Sequence, residues 1–317
     1  METYANYSSI PHWLTQIDQK RRAFADDTYF VETWQDALSM PGRATRSYCT
    51  RHSTLLVKPE ALRLGKVPQI LRWLHAHDWQ VVHFETVRAS RHVLRGLWRY
   101  QWNAVTRQHK QVVDMLFGTS DCLFLLLRST TPRNMTATQK LAEQKGPSEP
   151  GERAPWQLRA TLGNYNAYLN FVHSPDEPAD LIRELGVLFG EDKRREILND
   201  NLPEASEAHV LSTAAAINSH TGQDHSELTL EAAAQRLTEL CKQNGTHKTI
   251  EAAVTAAVES FERGEWRGDW HDIHRTLETI NPGIAQDFAF TVLATYLTNP
   301  RLDGVHSTLP TIRGMIS

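Results

Sequence analysis

The stretch DCLFLLLR constrains the fold more than any other, because residues 122–127 are six apolar residues in a row between Asp121 and Arg128. Such a run is far too short to cross a bilayer, which takes roughly 18 or more apolar residues. It also has no polar face to turn toward water, so it reads as a strand buried on both sides. The rest of the chain must then supply further strands to pair with it and helices to cover it.

Suitable partners are present. STLLVKPEAL begins as a β-favouring apolar run that a lysine and a proline break, and WQVVHFETVRA reads as a second strand. Between them, LGKVPQILRWLHAHD places Val67, Ile70, Leu71 and Leu74 at helical spacing. SRHVLRGLWRYQWNAVTRQHKQVVDML fits one or two helices, with Ser90 as N-cap. Residues 129–155 lose periodicity and read as a long loop with one short helix near residues 138–144. A strand returns at AYLNFVH, and PADLIRELGVLFG closes the series as a helix. This order predicts an α+β fold, a ferredoxin-like (split βαβ) antiparallel sheet with packed helices, over residues 49–198.

Residues 1–48 read as an extension with a short helix around residues 13–24, and residues 199–317 as a separate all-α domain. In the latter, Leu230, Ala233, Ala234, Leu237, Leu240 and Cys241 share one helical face that Gly245 ends, and Ile250, Val254, Val258 and Phe261 share another. Further helices are expected over residues 266–280 and 282–297. A chain of 317 residues with 40% hydrophobic content can bury a sizeable core. Its net charge of −3 gives no overall pull toward nucleic acid or an anionic membrane. Cys49, Cys122 and Cys241 are too dispersed for a zinc knuckle or a disulfide framework. With no apolar run after a basic start, a cytoplasmic location is expected, and the sequons at Asn6, Asn134 and Asn244 then carry no meaning.

Four stretches carry the chemistry: LLVKPEALRLGKVPQIL, WQVVHFETVRAS, NFVHSPD, and ELGVLF, whose glutamate lies 11 positions beyond His173. Together, in this order and at these spacings, they resemble the nucleoside diphosphate kinase family over about residues 53–190. The resemblance implies a phosphotransferase that moves the terminal phosphate of an NTP to a nucleoside diphosphate or related acceptor. An imidazole suits such a ping-pong scheme, being nucleophilic when neutral and giving the phosphoryl group back readily. Covalent work is otherwise slight, and positioning plus cationic stabilisation do the rest.

By this resemblance His173 is the phosphocarrier and Glu184 the carboxylate that orients it. Lys58 is the strand-end lysine on the transferred phosphate. Arg159 and Lys140 stand near the positions of two phosphate-binding arginines, Arg159 one residue off its spacing and Lys140 inside a divergent loop. Asn170 matches the residue that bonds the sugar hydroxyls, and Trp98 stands where a tyrosine is expected. Mg²⁺ would enter with ATP or another NTP, held mainly by the phosphates, with Asp176 in its outer shell. Departures are as informative. Pro175 replaces a serine, so a hydroxyl near the carrier is lost unless Ser174 supplies it. The base-covering phenylalanine maps onto Thr106, an arginine maps onto Leu64, and EQKGPSEPGERAP replaces a phosphate and assembly loop.

These departures leave three readings open: an active phosphotransferase, one of altered nucleotide specificity, or a nucleotide-binding sensor or scaffold with little or no turnover. A homo-oligomer is expected from the resemblance, and a protein partner could engage the helical C-terminal domain. His271 and His274, one helical turn apart in WHDIH, read as a solvated helix face rather than a metal pair. Trp98, Tyr100 and Trp102 could stack a base, but helical packing against the sheet accounts at least as well for two of the three.

Overall fold

In the computed structural model, the residues described are 10–40, 44–131, 134–219, 228–243, 247–266 and 268–310. Asn6, Asn244, Gly245 and the side chain of Ile250 lie outside them. At the centre is a four-stranded antiparallel sheet in the order β2-β3-β1-β4. Its strands are β1 His52–Val57, β2 Trp79–Val87, β3 Cys122–Ser129 and β4 Val172–His173. Leu56 of β1 lies between Phe124 of β3 and His173 of β4. Each of residues 122–127 is fully buried. Because side chains alternate along a strand, both faces of β3 are covered, as the apolar run requires.

The fourth strand is shorter than AYLNFVH suggests. Asn166 Oδ1 accepts from the backbone N–H groups of Tyr168 and Leu169, which turns the chain, and Phe171 takes a left-handed φ of 66°. Side-chain capture of backbone donors competes with the sheet ladder, so only Val172–His173 remains extended enough to pair.

The segment before the sheet forms three helices, α1 Asp18–Ala25, α2 Thr28–Leu38 and α3 Ala44–Arg51. After β1 come α4 Pro59–Arg63 and α5 Val67–Ala76, and after β2 come α6 Arg91–Leu97 and α7 Arg107–Gly118. Ser90 caps α6 through the backbone N–H of Val93. The long loop after β3 carries α8 Ala137–Lys145, longer than its sequence suggests and opened by a capping box of Thr136 and Gln139. Then follow α9 Leu158–Leu162, α10 Pro178–Leu188 and α11 Glu191–Ile197. The N-terminal helices are part of the core rather than an appendage. Helix α2 packs on α10 so closely that a Cβ on Gly186 would collide with the carbonyl oxygen of Tyr29.

Beyond the sheet the chain is helical: α12 Glu207–Ser219, α13 Leu230–Gln243, α14 His247–Glu262, α15 Trp270–Ile280, α16 Pro282–Ala285 and α17 Phe288–Leu297. Leu230, Ala233, Leu237 and Cys241 are buried together, as their spacing requires. Helix α12, which the sequence reading passed over, packs on α4, α5 and β2, and α17 packs on α13 and α7. Residues just before α12 also cover one end of the β2 edge, where the Ala205 N–H donates to the Val81 carbonyl at 2.8 Å. No helix among the described residues is long and apolar enough to cross a membrane.

His52, at the start of β1, is fully buried, stacked on Tyr48 and hydrogen-bonded through Nδ1 to the Tyr48 carbonyl at 3.1 Å. Burial pulls its pKa from 6.5 to about 4. A depressed folded pKa means that the unfolded chain binds the extra proton first. The contribution of His52 is therefore complete above pH 6.5 and is lost as pH falls through 4. A loss of about 3 kcal/mol is expected over that window from this residue. Urea unfolding at pH 7 and at pH 4 measures it, and a His52→Gln chain should show a smaller fall.

Candidate active site

A cavity of about 900 Å³ is lined by Lys58, Arg159, Asn170, His173, Asp176 and Glu184, together with Trp98. Residues more than a hundred positions apart thus meet at one place, and the local fold explains how. Lys58 ends β1, where Pro59 stops the strand and starts α4. Asn170 precedes the left-handed Phe171, and His173 follows on the neighbouring β4. Glu184 lies on the second turn of α10, so its carboxylate faces back to the strand end.

His173 is partly buried, and its Nε2 lies 3.0 Å from Glu184 Oε1. In the tautomer with the proton on Nε2, that nitrogen donates to the carboxylate. Among the described residues Nδ1 has no hydrogen-bond partner, so in that tautomer its lone pair is open. The edge of Trp98 meets the ring at 5.6 Å between centroids. Trp98 therefore abuts the imidazole itself and also packs on Trp102 and Phe117.

The cations are held tightly. Lys58 Nζ donates to the Tyr168 carbonyl at 2.7 Å and to Asn170 Oδ1 at 3.2 Å, and pairs with Glu60 at 2.9 Å. Burial pulls its pKa below the usual ammonium range, while Glu60 works in the opposite direction. Arg159 donates to Asn170 Oδ1 at 3.2 Å, to the Val172 carbonyl at 2.6 Å and to the Gly146 carbonyl at 3.0 Å. Asn170 is thus the acceptor that joins the two cations, and its amide nitrogen donates to the Ala167 carbonyl. These bonds occupy the side chain that the resemblance assigns to sugar hydroxyls.

Lys140 does not line the cavity. It lies 4.5 Å over the Trp79 ring and donates to Ser129 Oγ at 3.1 Å. Lys145, five residues further along α8, lines the cavity instead and donates to both the carbonyl and the hydroxyl oxygen of Ser174. Five residues turn a helix by about 140° beyond a full revolution, so the two lysines leave α8 in different directions. Glu60 is the other residue whose part sequence reasoning missed. Its carboxylate accepts the Phe171 N–H at 3.0 Å as well as pairing with Lys58, and so ties the β1 end to the turn that carries His173. The Lys-Pro-acid signature contained the signal, because an acid two residues after a strand-end lysine can fold back onto it.

Of the cavity carboxylates, Glu184 is engaged with His173 and Asp180 with Lys20 of α1, whereas Asp176 and Glu149 have no ion pair among the described residues. The one group of three metal-type ligands among those residues, His83, Glu85 and Glu196, lies outside the cavity lining. Lys193 bridges the two glutamates at 2.6 and 2.7 Å, so an ammonium already neutralises them. Two unpaired carboxylates amid several cations, with no third metal-type ligand grouped with them among the described residues, would suit a Mg²⁺ that arrives on phosphates better than a resident ion.

A family model described as nucleoside diphosphate kinase matches residues 51–194. Among solved structures, the chain is similar to the nucleoside diphosphate kinase of Aquifex aeolicus at 20% identity, over 44% of this chain and 95% of that one, with a TM-score of 0.38. The NDP kinase of Pyrobaculum aerophilum matches at 18% identity over 45% and 97%, with a TM-score of 0.37. The halophilic enzyme of Halobacterium salinarum, in complex with CDP, matches at 16% over 45% and 90%, with a TM-score of 0.38. Comparison with curated proteins gave no match. Residues 51–194 of this chain form a domain of the nucleoside diphosphate kinase family.

Proposed function

We propose that the chain transfers the terminal phosphate of an NTP to a nucleoside diphosphate through His173. The observation that carries this reading is the His173–Glu184 pair, set in a cavity with Lys58 and Arg159 and leaving Nδ1 open. In the first half-reaction Nδ1 attacks the γ-phosphorus, the bond to the β,γ-bridging oxygen breaks, and the diphosphate leaves. In the second, a terminal oxygen of the acceptor diphosphate attacks the same phosphorus and the P–N bond breaks. Glu184 holds the Nε2 proton throughout and stabilises the positive ring that forms on phosphorylation.

Lys58, Arg159 and Lys145 are the cations for the transferred group. Phosphate oxygens would replace Asn170 Oδ1 and backbone carbonyls as their acceptors, a charge-assisted exchange that favours the anion. Mg²⁺ on the nucleotide would screen the phosphate charge, with Asp176 placed to receive its water shell. Ser174, held by Lys145, is left with a hydroxyl proton to donate, which compensates for Pro175.

Incubation with ¹⁴C-ADP and unlabelled ATP tests the reading, because a ping-pong carrier exchanges label between the two without a third reactant. Exchange is expected, and its absence with active nucleotide binding would favour the sensor reading. The mutual saturation of Lys58, Asn170 and Arg159 is the observation on that side. The two lysines of α8 give a sharper comparison. Lys145→Ala should slow exchange at least about tenfold, the scale of losing one electrostatic donor. Lys140→Ala should leave it within about threefold, its charge lying outside the cavity.

A further inference from the structure

One wall of the cavity comes from neither the family domain nor the N-terminal helices. It comes from a strap that follows α17, residues 299–310, which runs back along residues 100–106. The strap is laid down by defined bonds. The Thr106 N–H and hydroxyl donate to the Pro300 and Asn299 carbonyls, and the Leu302 N–H donates to the Ala104 carbonyl at 3.0 Å. Asn103 holds it at a second point, its amide nitrogen donating to the His306 carbonyl at 2.8 Å and its oxygen accepting from the Thr308 N–H. Leu309 is buried and pins the far end.

The strap faces the phosphate-binding side chains across His109 and Tyr168. His109 Nδ1 lies 3.0 Å from the Tyr168 hydroxyl, and the Tyr168 carbonyl receives Lys58 Nζ. His109, Tyr168, Lys58 and Arg301 all line the same cavity, and the His109 ring meets that of Trp102 edge-on at 5.9 Å. A nucleotide with its phosphates at Lys58 and Arg159 would carry its other end past the rings of His109 and Tyr168 to the strap. There the wall combines the apolar Val105 and Val305 with the hydrogen-bonding side chains of Arg301 and His306. A flat heterocycle with a polar rim matches that mixture.

We propose that the strap is the specificity wall for the acceptor: the nucleobase of the nucleoside diphosphate lies against it, and Arg301 and His306 read the polar edge of the base. This rests on the phosphocarrier reading and gives the helical C-terminal region a task, since α17 delivers the strap to the cavity. Base selection is then set by chain outside residues 51–194.

The test uses the full chain, labelled with γ-³²P-ATP and freed of nucleotide, then chased separately with ADP, GDP, CDP and UDP. Starting from labelled protein removes the loading rate from the comparison. In Arg301→Ala and His306→Ala the ratios among the four chase rates should shift by roughly three- to tenfold, the worth of one hydrogen bond. Asn103→Ala, which releases the strap without lining the cavity, should shift them in the same sense. All three side chains are exposed, so the fold is retained. Rates that fall equally for all four diphosphates, or ratios identical to the unmodified chain, would overturn the proposal. An unmodified chain that takes no label at all would sink the phosphocarrier reading and the strap proposal together, a result distinct from label that chases with unchanged ratios.

Discussion

His173→Ala should lose phosphoryl exchange between ATP and a diphosphate by at least about 10⁴-fold, the scale of removing a covalent nucleophile. The size of this loss follows from the division of labour in the cavity. Lys58 and Arg159 can attract phosphates without the imidazole, so nucleotide binding should survive the substitution. On the proposed scheme the covalent intermediate cannot form without Nδ1, the open nitrogen of the ring that Glu184 holds. Glu184→Gln should fall between the two, since a neutral amide still holds the Nε2 proton but does less to stabilise the charged ring. Equilibrium binding of ATP and exchange of ¹⁴C-ADP, measured on the same preparations, separate these effects. A His173→Ala chain that exchanges within tenfold of the unmodified rate would mean that another residue carries the phosphoryl group.

The largest stability effect is expected away from the chemistry, at Arg183. Its guanidinium is buried on α10, pairs with Asp27 at 2.9 Å and donates to the Gly96 carbonyl at 2.7 Å. The rings of Phe24 and Tyr100 lie over it at 5.6 and 5.1 Å. Asp27 is itself buried and caps α2 through the Phe30 N–H. Arg183→Met preserves much of the volume but leaves a buried carboxylate without its cation. Breaking such a pair from one side costs about 3–5 kcal/mol. That would lower the melting midpoint by roughly 6 °C. Adding Asp27→Asn should recover part of the loss, because the stranded charge goes with it. A Met variant within 1 kcal/mol of the unmodified chain in urea titration would show that the Arg183–Asp27 pair does not hold the N-terminal helices.

These two residues also mark what a sequence can and cannot disclose. The sheet was legible because six apolar residues flanked by charges have one economical reading, and because apolar spacing switches between strand and helix periods around them. The contact between His173 and Glu184 was legible because a single turn and part of one helix separate them, and over such short stretches the spacing fixes the geometry. Lys140 misled because it follows a long loop whose path no count can supply, and a slip of five residues on α8 selects a different helix face. The role of Asn170 was hidden for a different reason. Its side chain answers to two cations, Lys58 and Arg159, whose distances from it depend on the whole tertiary fold. Arg183 looks in sequence like one more charge on an amphipathic helix, and only the arrival of α2 over α10 buries it. The strap has no periodicity to betray it. Its meaning comes from the chain segment on which it lies.

Brief incubation of the full chain with γ-³²P-ATP and Mg²⁺, followed by peptide mapping under alkaline conditions, tests the central claim most directly. Acid-labile, base-stable label should appear on the peptide that contains His173 and should leave it when a nucleoside diphosphate is added. Label confined to a serine, to another histidine, or to no residue while ATP is bound would contradict the assignment of His173 as the carrier.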